Sequence, residues 1–189
     1  MSVTDAAAGL YERLVILRCQ AGDELALAEL IRRFSPGLRL YLEKIGGRAV
    51  ADDLLQDTWF DVYRKINALQ NPGAFTAWLY RIARDKAFRH LRRGRNETVP
   101  FDENVIGELP AEEETFTPEE AQAVRAALDQ IPLEQREVLL LRFVENMTYE
   151  QVAEVIGRPI GTVRSRIHHG KRSLRAKLQH GMQRKGIQS

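Results

Sequence analysis

Cysteine is almost absent from this chain of 189 residues: Cys19 stands alone, so no internal disulfide can form and no cysteine-based zinc cluster is available. Long apolar runs are missing as well. None approaches the roughly 18 residues that a membrane span needs, and Met1–Ala8 has neither the basic start nor the apolar core of a signal peptide. No stretch alternates apolar and polar residues as a half-buried strand would. There is no Gly-rich phosphate loop, no GxSxG, no HExxH and no carboxylate pair in a pocket-forming context. The four histidines, His90, His168, His169 and His180, all lie in cationic segments, which disfavours metal binding. Adjacent on a helix, His168 and His169 are expected to point apart and not to chelate one ion. These absences argue against an enzyme, a metal, a cofactor and a membrane span, and favour a reducing, cytoplasmic setting.

A hydrophobic content of 44% and a charged content of 29% are those of a globular protein, not of a disordered one. The formal net charge of +2 conceals a segregated distribution. From Arg81 to Arg95 there are seven basic residues against one acidic, Asp85. From Asn96 to Glu120 there are nine acidic residues and no basic one, and from Gly157 to the end nine basic and no acidic. Two basic blocks joined by an acidic tether suggest two modules that each meet a polyanion.

The periodic signals are helical throughout, and the expected fold class is all-α. Leu27, Leu30, Ile31, Phe34, Leu38, Tyr41, Leu42 and Ile45 recur at steps of three and four, with Pro36 expected to kink or break the segment and Gly46-Gly47 to end it. A second helix over about 49–66 places Leu55, Trp59, Val62 and Ile66 inward, and a third over about 73–93 does so with Leu79, Ile82, Ala83, Ala87 and Leu91. These make a helical domain over residues 10–95. Residues 96–117, with Pro100, Gly107, Pro110 and many carboxylates, read as a flexible, self-repelling linker. Thr117-Pro118-Glu119-Glu120 and Thr148-Tyr149-Glu150-Gln151 are capping boxes, so residues 118–180 form a second, smaller domain of four helices.

Within it, Thr148 to Leu178 has the spacing of a helix-turn-helix. Ala153 is small where the helices cross, Gly157 suits the turn, and Val163 seals the crossing; Val152, Ile156, Ile160 and Ile167 complete a small core. The second helix has a dry side, Val163, Ile167, Leu174 and Leu178. Its wet side carries Arg164, Ser165, Arg166, His168, Lys171 and Arg172, where a recognition helix meets DNA: early residues at base edges, later cations at phosphates. Repressors, activators and polymerase subunits all use such a motif, so it does not choose among them.

The first domain carries the discriminating segments. Asp52-Asp53-Leu54-Leu55-Gln56-Asp57-Thr58-Trp59 opens the second helix, and Phe75-Thr76-Ala77-Trp78-Leu79-Tyr80-Arg81-Ile82-Ala83-Arg84-Asp85-Lys86-Ala87 opens the third. With Gly161-Thr162-Val163-Arg164-Ser165-Arg166-Ile167 and the preceding Ile131-Pro132 and Arg136-Glu137-Val138, they resemble the segments of extracytoplasmic-function sigma factors of the sigma-70 family, in that family's order. The resemblance covers about residues 10–95 and 118–180. It implies a promoter-specificity subunit of RNA polymerase that serves a stress or envelope response, with core RNA polymerase, promoter DNA and an anti-sigma factor as partners.

The residues read in the same direction. Asp53, Gln56, Asp57, Phe60 and Arg64 form a stripe opposite the apolar side of the second helix, a partner surface more than a solvated one; the resemblance assigns Asp53, Gln56, Asp57 and Phe60 to the polymerase clamp helices. Arg81, Arg84, Phe88, Arg92 and Arg95 line the outer side of the third helix, where cations can track a backbone and an aromatic can stack on an unpaired base. Trp78 and Tyr80 have the same capacity, although a core or boundary position suits them better. The resemblance implies that this helix, with the loop 67–73, captures the melted −10 strand. Asn67 and Asn71 are placed to bond a flipped base, while Asn71-Pro72-Gly73 reads equally well as a plain turn. The −35 element falls to the recognition helix, and the linker to the polymerase's RNA path. An autonomous dimeric regulator is the rival reading; it requires a dimer seam that the sequence does not display.

Overall fold

The computed structural model describes residues 3–94 and 124–186, with side chains over 7–93 and 124–179; the acidic linker, the start at Thr117–Glu120 and Arg95 lie outside the described residues. Among the described residues all regular structure is helical. The chain divides into two compact units, Met1–Thr98 and Val99–Ser189.

The first unit holds α1 (Val3–Gln20), α2 (Glu24–Gly46), α3 (Ala51–Lys65) and α4 (Phe75–Gly94). Asp23 starts α2 by accepting from the backbone N–H groups of Leu25 and Ala26 at 2.9 and 3.2 Å, and Arg18 donates to the same carboxylate at 2.7 Å. That guanidinium and the Ala26 N–H hold the Asp23 carboxyl below the usual carboxylate range. At the far end Gly47 closes α2 with φ of 101°, a conformation that glycine adopts without a Cβ penalty. Of the kink or break expected at Pro36, the break does not occur: α2 runs through it. Pro36 and Arg32 are both exposed, so the carbonyl deprived of its partner four residues back can be hydrated.

The core is built by Leu30, Leu38, Tyr41 and Leu42 of α2, Val62 and Trp59 of α3, and Phe75, Leu79, Tyr80, Ala83 and Ala87 of α4. Tyr41 meets Tyr80 edge to face at 5.3 Å, Phe34 meets Phe75 likewise at 5.3 Å, and Trp59 Nε1 donates to Ser35 Oγ at 3.0 Å. On α3 the inward residues are Leu54 and Thr58 beside Trp59 and Val62; Leu55, expected inside, is only half-buried. The Thr58 hydroxyl, fully buried, donates to the Leu54 carbonyl at 2.6 Å, which satisfies it without a partner from another helix.

Helix α1 had no periodic signal, and the structure gives the reason. Val15, Ile16 and Cys19 face the core, while Leu10, Leu14 and Leu17 stand on the opposite, exposed side, so apolar residues lie all round. Burial pushes the Cys19 thiol up and keeps it protonated.

In the second unit, helical residues 124–128 lead to Ile131 and then α5 (Leu133–Leu139). Arg136 donates to the carbonyls of Asp129 and Ile131 at 3.0 and 3.2 Å and fixes this corner. A wider π-helical turn, Leu140–Val144, continues α5; Asn146, with φ of 53°, then turns the chain so that Met147 is buried. Helices α6 (Tyr149–Ile156) and α7 (Ile160–Gly186) follow.

Candidate nucleic-acid interface

The helix-turn-helix is assembled by local rules. Thr148 caps α6 with a complete box: its hydroxyl accepts from Gln151 N–H at 3.2 Å, and the Gln151 side chain accepts from Thr148 N–H at 2.9 Å. Gly157 ends α6 in the left-handed region, φ 64° and ψ 41°. Pro159 then presents its carbonyl to the N–H groups of Thr162 and Val163 at 2.9 and 3.2 Å, which opens α7. Val152, Val155, Ile156, Val163 and Ile167 are buried between the two helices, whereas Ile160 and Leu178 are half-buried. Val155 was not anticipated.

With that side of α7 sealed, the cations are turned outward. Arg164, Arg172 and Arg175 are exposed; Ser165, Arg166, His168 and Lys171 are half-buried. Lys171 Nζ lies over the Phe143 ring at 4.9 Å, so this ammonium leans on the π-helical turn. His168 and His169 do not point apart: their rings meet edge to face at 5.4 Å, because side chains about 100° apart on one helix can lean together. Gly170 is buried against α5, where a Cβ would stand 3.1 Å from Leu139 Cγ and 3.3 Å from the Gln135 carbonyl oxygen. Its missing Cβ allows close helix packing there. Glu150, in the first turn of α6, has its carboxyl below the usual range through its own backbone N–H, the Thr148 hydroxyl and, more weakly, the charge of Arg164.

In the first unit two helices present surfaces of opposite character. On α3, Asp53, Gln56, Asp57, Phe60 and Arg64 are all exposed, and Arg64 lies over the Phe60 ring at 5.6 Å. Tyr63, 65% exposed, extends the same face and was missed. Asp52, one position away, is engaged by Arg39 at 2.7 Å, which lowers its carboxyl below the usual range. On α4, Arg81 and Arg92 are exposed, while Arg84 and Phe88 are half-buried, with the Arg84 guanidinium over the Phe88 ring at 4.3 Å. Tyr80 is core. Trp78 is half-buried beside Phe75, with ring centroids 6.0 Å apart. Lys86 and Lys65 both reach Asp61, at 3.1 and 3.2 Å, the former bond tying α3 to α4.

The loop between α3 and α4 is a 3₁₀ turn, Ile66–Ala68, an anchor at buried Leu69, and a second 3₁₀ turn, Pro72–Ala74. Asn67, Ala68, Gln70 and Asn71 are exposed. Asn71 Oδ1 accepts from Gly73 N–H at 2.9 Å and caps the second turn, the turn role weighed against base contact. Among the described residues no group of three or more histidine, cysteine, aspartate or glutamate side chains is placed to hold a metal ion. No described helix is long and apolar enough to cross a membrane.

Fold and surfaces together define a helical, helix-turn-helix protein of two units with separate acidic and cationic faces. Residues 30–97 match sigma-70 region 2 and residues 121–174 match sigma-70 region 4. The chain is 36% identical over 163 residues to the ECF RNA polymerase sigma factor SigE of Mycolicibacterium smegmatis, covering 82% of this chain and 63% of that protein's length. It is 30% identical over 181 residues to the RNA polymerase sigma-H factor of Pseudomonas aeruginosa, covering 89% of this chain and 94% of that one. Among solved structures, CnrH in complex with the cytosolic domain of CnrY shares the fold, with a TM-score of 0.66 at 23% identity over 89% of this chain and 97% of CnrH. The sigma factor RpoE in complex with the anti-sigma factor NepR from Bartonella quintana has a TM-score of 0.63 at 26% identity, covering 80% of this chain and 96% of that one. The chain belongs to the sigma-70 family, in its extracytoplasmic-function group. It is a sigma factor that directs core RNA polymerase to specific promoters and initiates transcription.

Proposed function

We propose that the two units divide promoter reading between them. In the second unit α7 enters the major groove of the −35 element as duplex. Arg164, Ser165 and Arg166 face base edges, and His168, Lys171 and Arg172 lie along phosphates. In the first unit the α3 face (Asp53, Gln56, Asp57 and Phe60) docks on the polymerase clamp. Arg81, Arg84, Phe88 and Arg92 of α4, with Trp78 and the loop carrying Asn67 and Asn71, take the unpaired −10 strand. Binding of unstacked bases drives opening, so this chain performs no bond chemistry; RNA synthesis belongs to the polymerase.

The observation that carries this division is the pair of opposite faces on one small unit. An acidic, amide and aromatic surface on α3 and a cation–aromatic surface on α4 call for a protein partner and a nucleic-acid partner respectively. The setting is the cytoplasm, and the response is to envelope or other stress. An anti-sigma factor holds the protein inactive, as NepR accompanies RpoE in the Bartonella quintana complex.

Run-off transcription from a promoter set, with core polymerase in the presence and absence of this chain, tests the proposal. Transcripts that require both components are expected. Asp53→Ala/Asp57→Ala should lose them through weaker core binding, and Arg164→Ala should lose them only where a −35 element is needed. Duplex binding as a dimer by the protein alone, with no transcripts, would favour an autonomous regulator instead.

A further inference from the structure

The exposed residues of the loop after α3 rest on α1 as well as on the helices they join. Gln20, the last residue of α1, is half-buried beneath it. Its Nε2 donates to the Ile66 carbonyl at 2.8 Å and to the Leu69 carbonyl at 2.7 Å, across separations of 46 and 49 residues. Those two carbonyls flank the 3₁₀ turn whose outer members are Asn67 and Ala68. Leu69 N–H also donates to the Ile66 carbonyl, at 3.1 Å, so one amide group closes the turn from below while the backbone closes it from within.

Helix α1 touches the rest of this region twice more. The Arg13 guanidinium lies against Gly73, its Nη2 and Nε 3.2 and 3.3 Å from where a Cβ would stand. The Thr76 hydroxyl, in the first turn of α4, donates to Glu12 Oε1 at 3.4 Å, and Arg33 holds the other Glu12 oxygen at 2.9 Å. Both turns of the loop and the start of α4 therefore rest on one side of α1, and of these contacts the Gln20 bridge is the shortest.

We propose that Gln20 is a positioning residue for −10 recognition: its carboxamide, by bridging the Ile66 and Leu69 carbonyls, fixes the shape in which the loop offers Asn67 to an unpaired promoter base. This rests on the reading that the loop meets the −10 strand. The chemistry is selective. Two N–H donors on one nitrogen are needed to serve two carbonyl acceptors, and glutamine supplies them at this reach. Glutamate has nearly the same shape but would set a carboxylate against two carbonyl oxygens. Lysine keeps donors and can serve both. An unheld loop would still carry Asn67, but it would meet the base in many geometries, and selectivity between bases falls when a hydrogen-bonding site is loose.

The test uses holoenzyme, reconstituted from core polymerase and the full chain. The probe is a fork-junction DNA library with a randomised single-stranded −10 tail, and the bound tails are sequenced. For Gln20→Met and Gln20→Glu, discrimination at one tail position should fall at least fivefold, with the preferences at other positions and the affinity for core within twofold of wild type. Gln20→Lys should retain most of the discrimination. A general fold defect would instead weaken all tails together and reduce core binding. Should Gln20→Met not fold, the Glu and Lys variants, alike in size and both charged, decide by the same readout. Wild-type discrimination in Gln20→Met and Gln20→Glu, with discrimination lost in Asn67→Ala, overturns the role of Gln20 and leaves the loop's role intact. Unchanged discrimination in both Asn67→Ala and Asn71→Ala overturns the reading of the loop, and the Gln20 proposal with it.

Discussion

Two glycines of α7 should respond to alanine with opposite signs. By helix propensity alone, Gly161→Ala and Gly170→Ala each stabilise, by up to about 1 kcal/mol. Around Gly161 a Cβ meets nothing within 4 Å, so that gain is available. Around Gly170 the new methyl stands 3.1 Å from both Leu139 Cγ and Leu139 Cδ1 and 3.3 Å from the Gln135 carbonyl oxygen. Carbon contacts are optimal at about 3.5–4.0 Å, so the neighbours must retreat by roughly half an ångström. Leu139 is itself buried, and the Gln135 oxygen is backbone, so α5 has to move. Overpacking of this kind costs about 1–3 kcal/mol. Set against the propensity gain, the net loss is about 1 kcal/mol, or roughly 4–8 °C in the Tm of a unit this size. Differential scanning calorimetry of the full chain, with the transition assigned by amide NMR signals of the second unit, measures both variants. A rise in Tm for Gly170→Ala comparable to that for Gly161→Ala would refute the packing argument.

Removing the cap hydroxyl in Thr148→Ala should cost about 1 kcal/mol, since the Gln151 N–H loses its acceptor; thermal melts followed by circular dichroism check it. Acid should destabilise the fold. Asp23, Asp52, Asp61 and Glu150 all have carboxyls held below the usual range, Asp61 because bonds from Lys86 and Lys65 outweigh its partial burial. A depressed carboxyl stabilises above the unfolded pKa near about 4 and stops doing so as pH falls through the folded one, so Tm should be flat above about pH 5 and drop below about pH 4. In Asp23→Asn, which keeps a capping side chain, the drop in the first unit should be smaller; a Tm that rises in acid would contradict the sign. Arg172→Ala should reduce the slope of log affinity against log salt for holoenzyme on promoter duplex by about one. Arg164→Ala should instead cost about 1–3 kcal/mol on the preferred −35 sequence alone.

Much of this architecture could be read from the chain because it depends on local rules. The period of Leu30, Leu38, Tyr41 and Leu42 marks α2, and Gly46-Gly47 marks its end, because one buried side and one φ-positive residue are enough. The Thr148 box, the turn at Gly157 and the seal at Val163 all act within a few residues. What escaped depends on distant partners. Helix α1 was invisible because its exposed leucines cancel the contrast on which a period rests. Gln20 looks like any polar helix end until folding brings it under carbonyls 46 and 49 residues away. Gly170 reads as a weak helix residue until Leu139 is seen against it. Pro36 breaks no helix, and the exposure of Pro36 and Arg32 that leaves the freed carbonyl open to solvent is not written in the local sequence. Asn71 shows the same limit at the candidate site, where cap and base contact use one residue type and the observed bond to Gly73 serves the cap.

The weak attraction between the Glu150 carboxylate and Arg164 would act on search as well as on binding, if α7 meets DNA as proposed. A cation next to a fixed anion is attracted less to phosphates in general, because both charges act on every passing backbone. A guanine edge offers Arg164 two directed acceptors that compensate, and a bare phosphate run does not. On the proposed reading of Arg164, dwell on unrelated DNA is expected to shorten more than dwell at a promoter, and Glu150→Gln should lengthen the former.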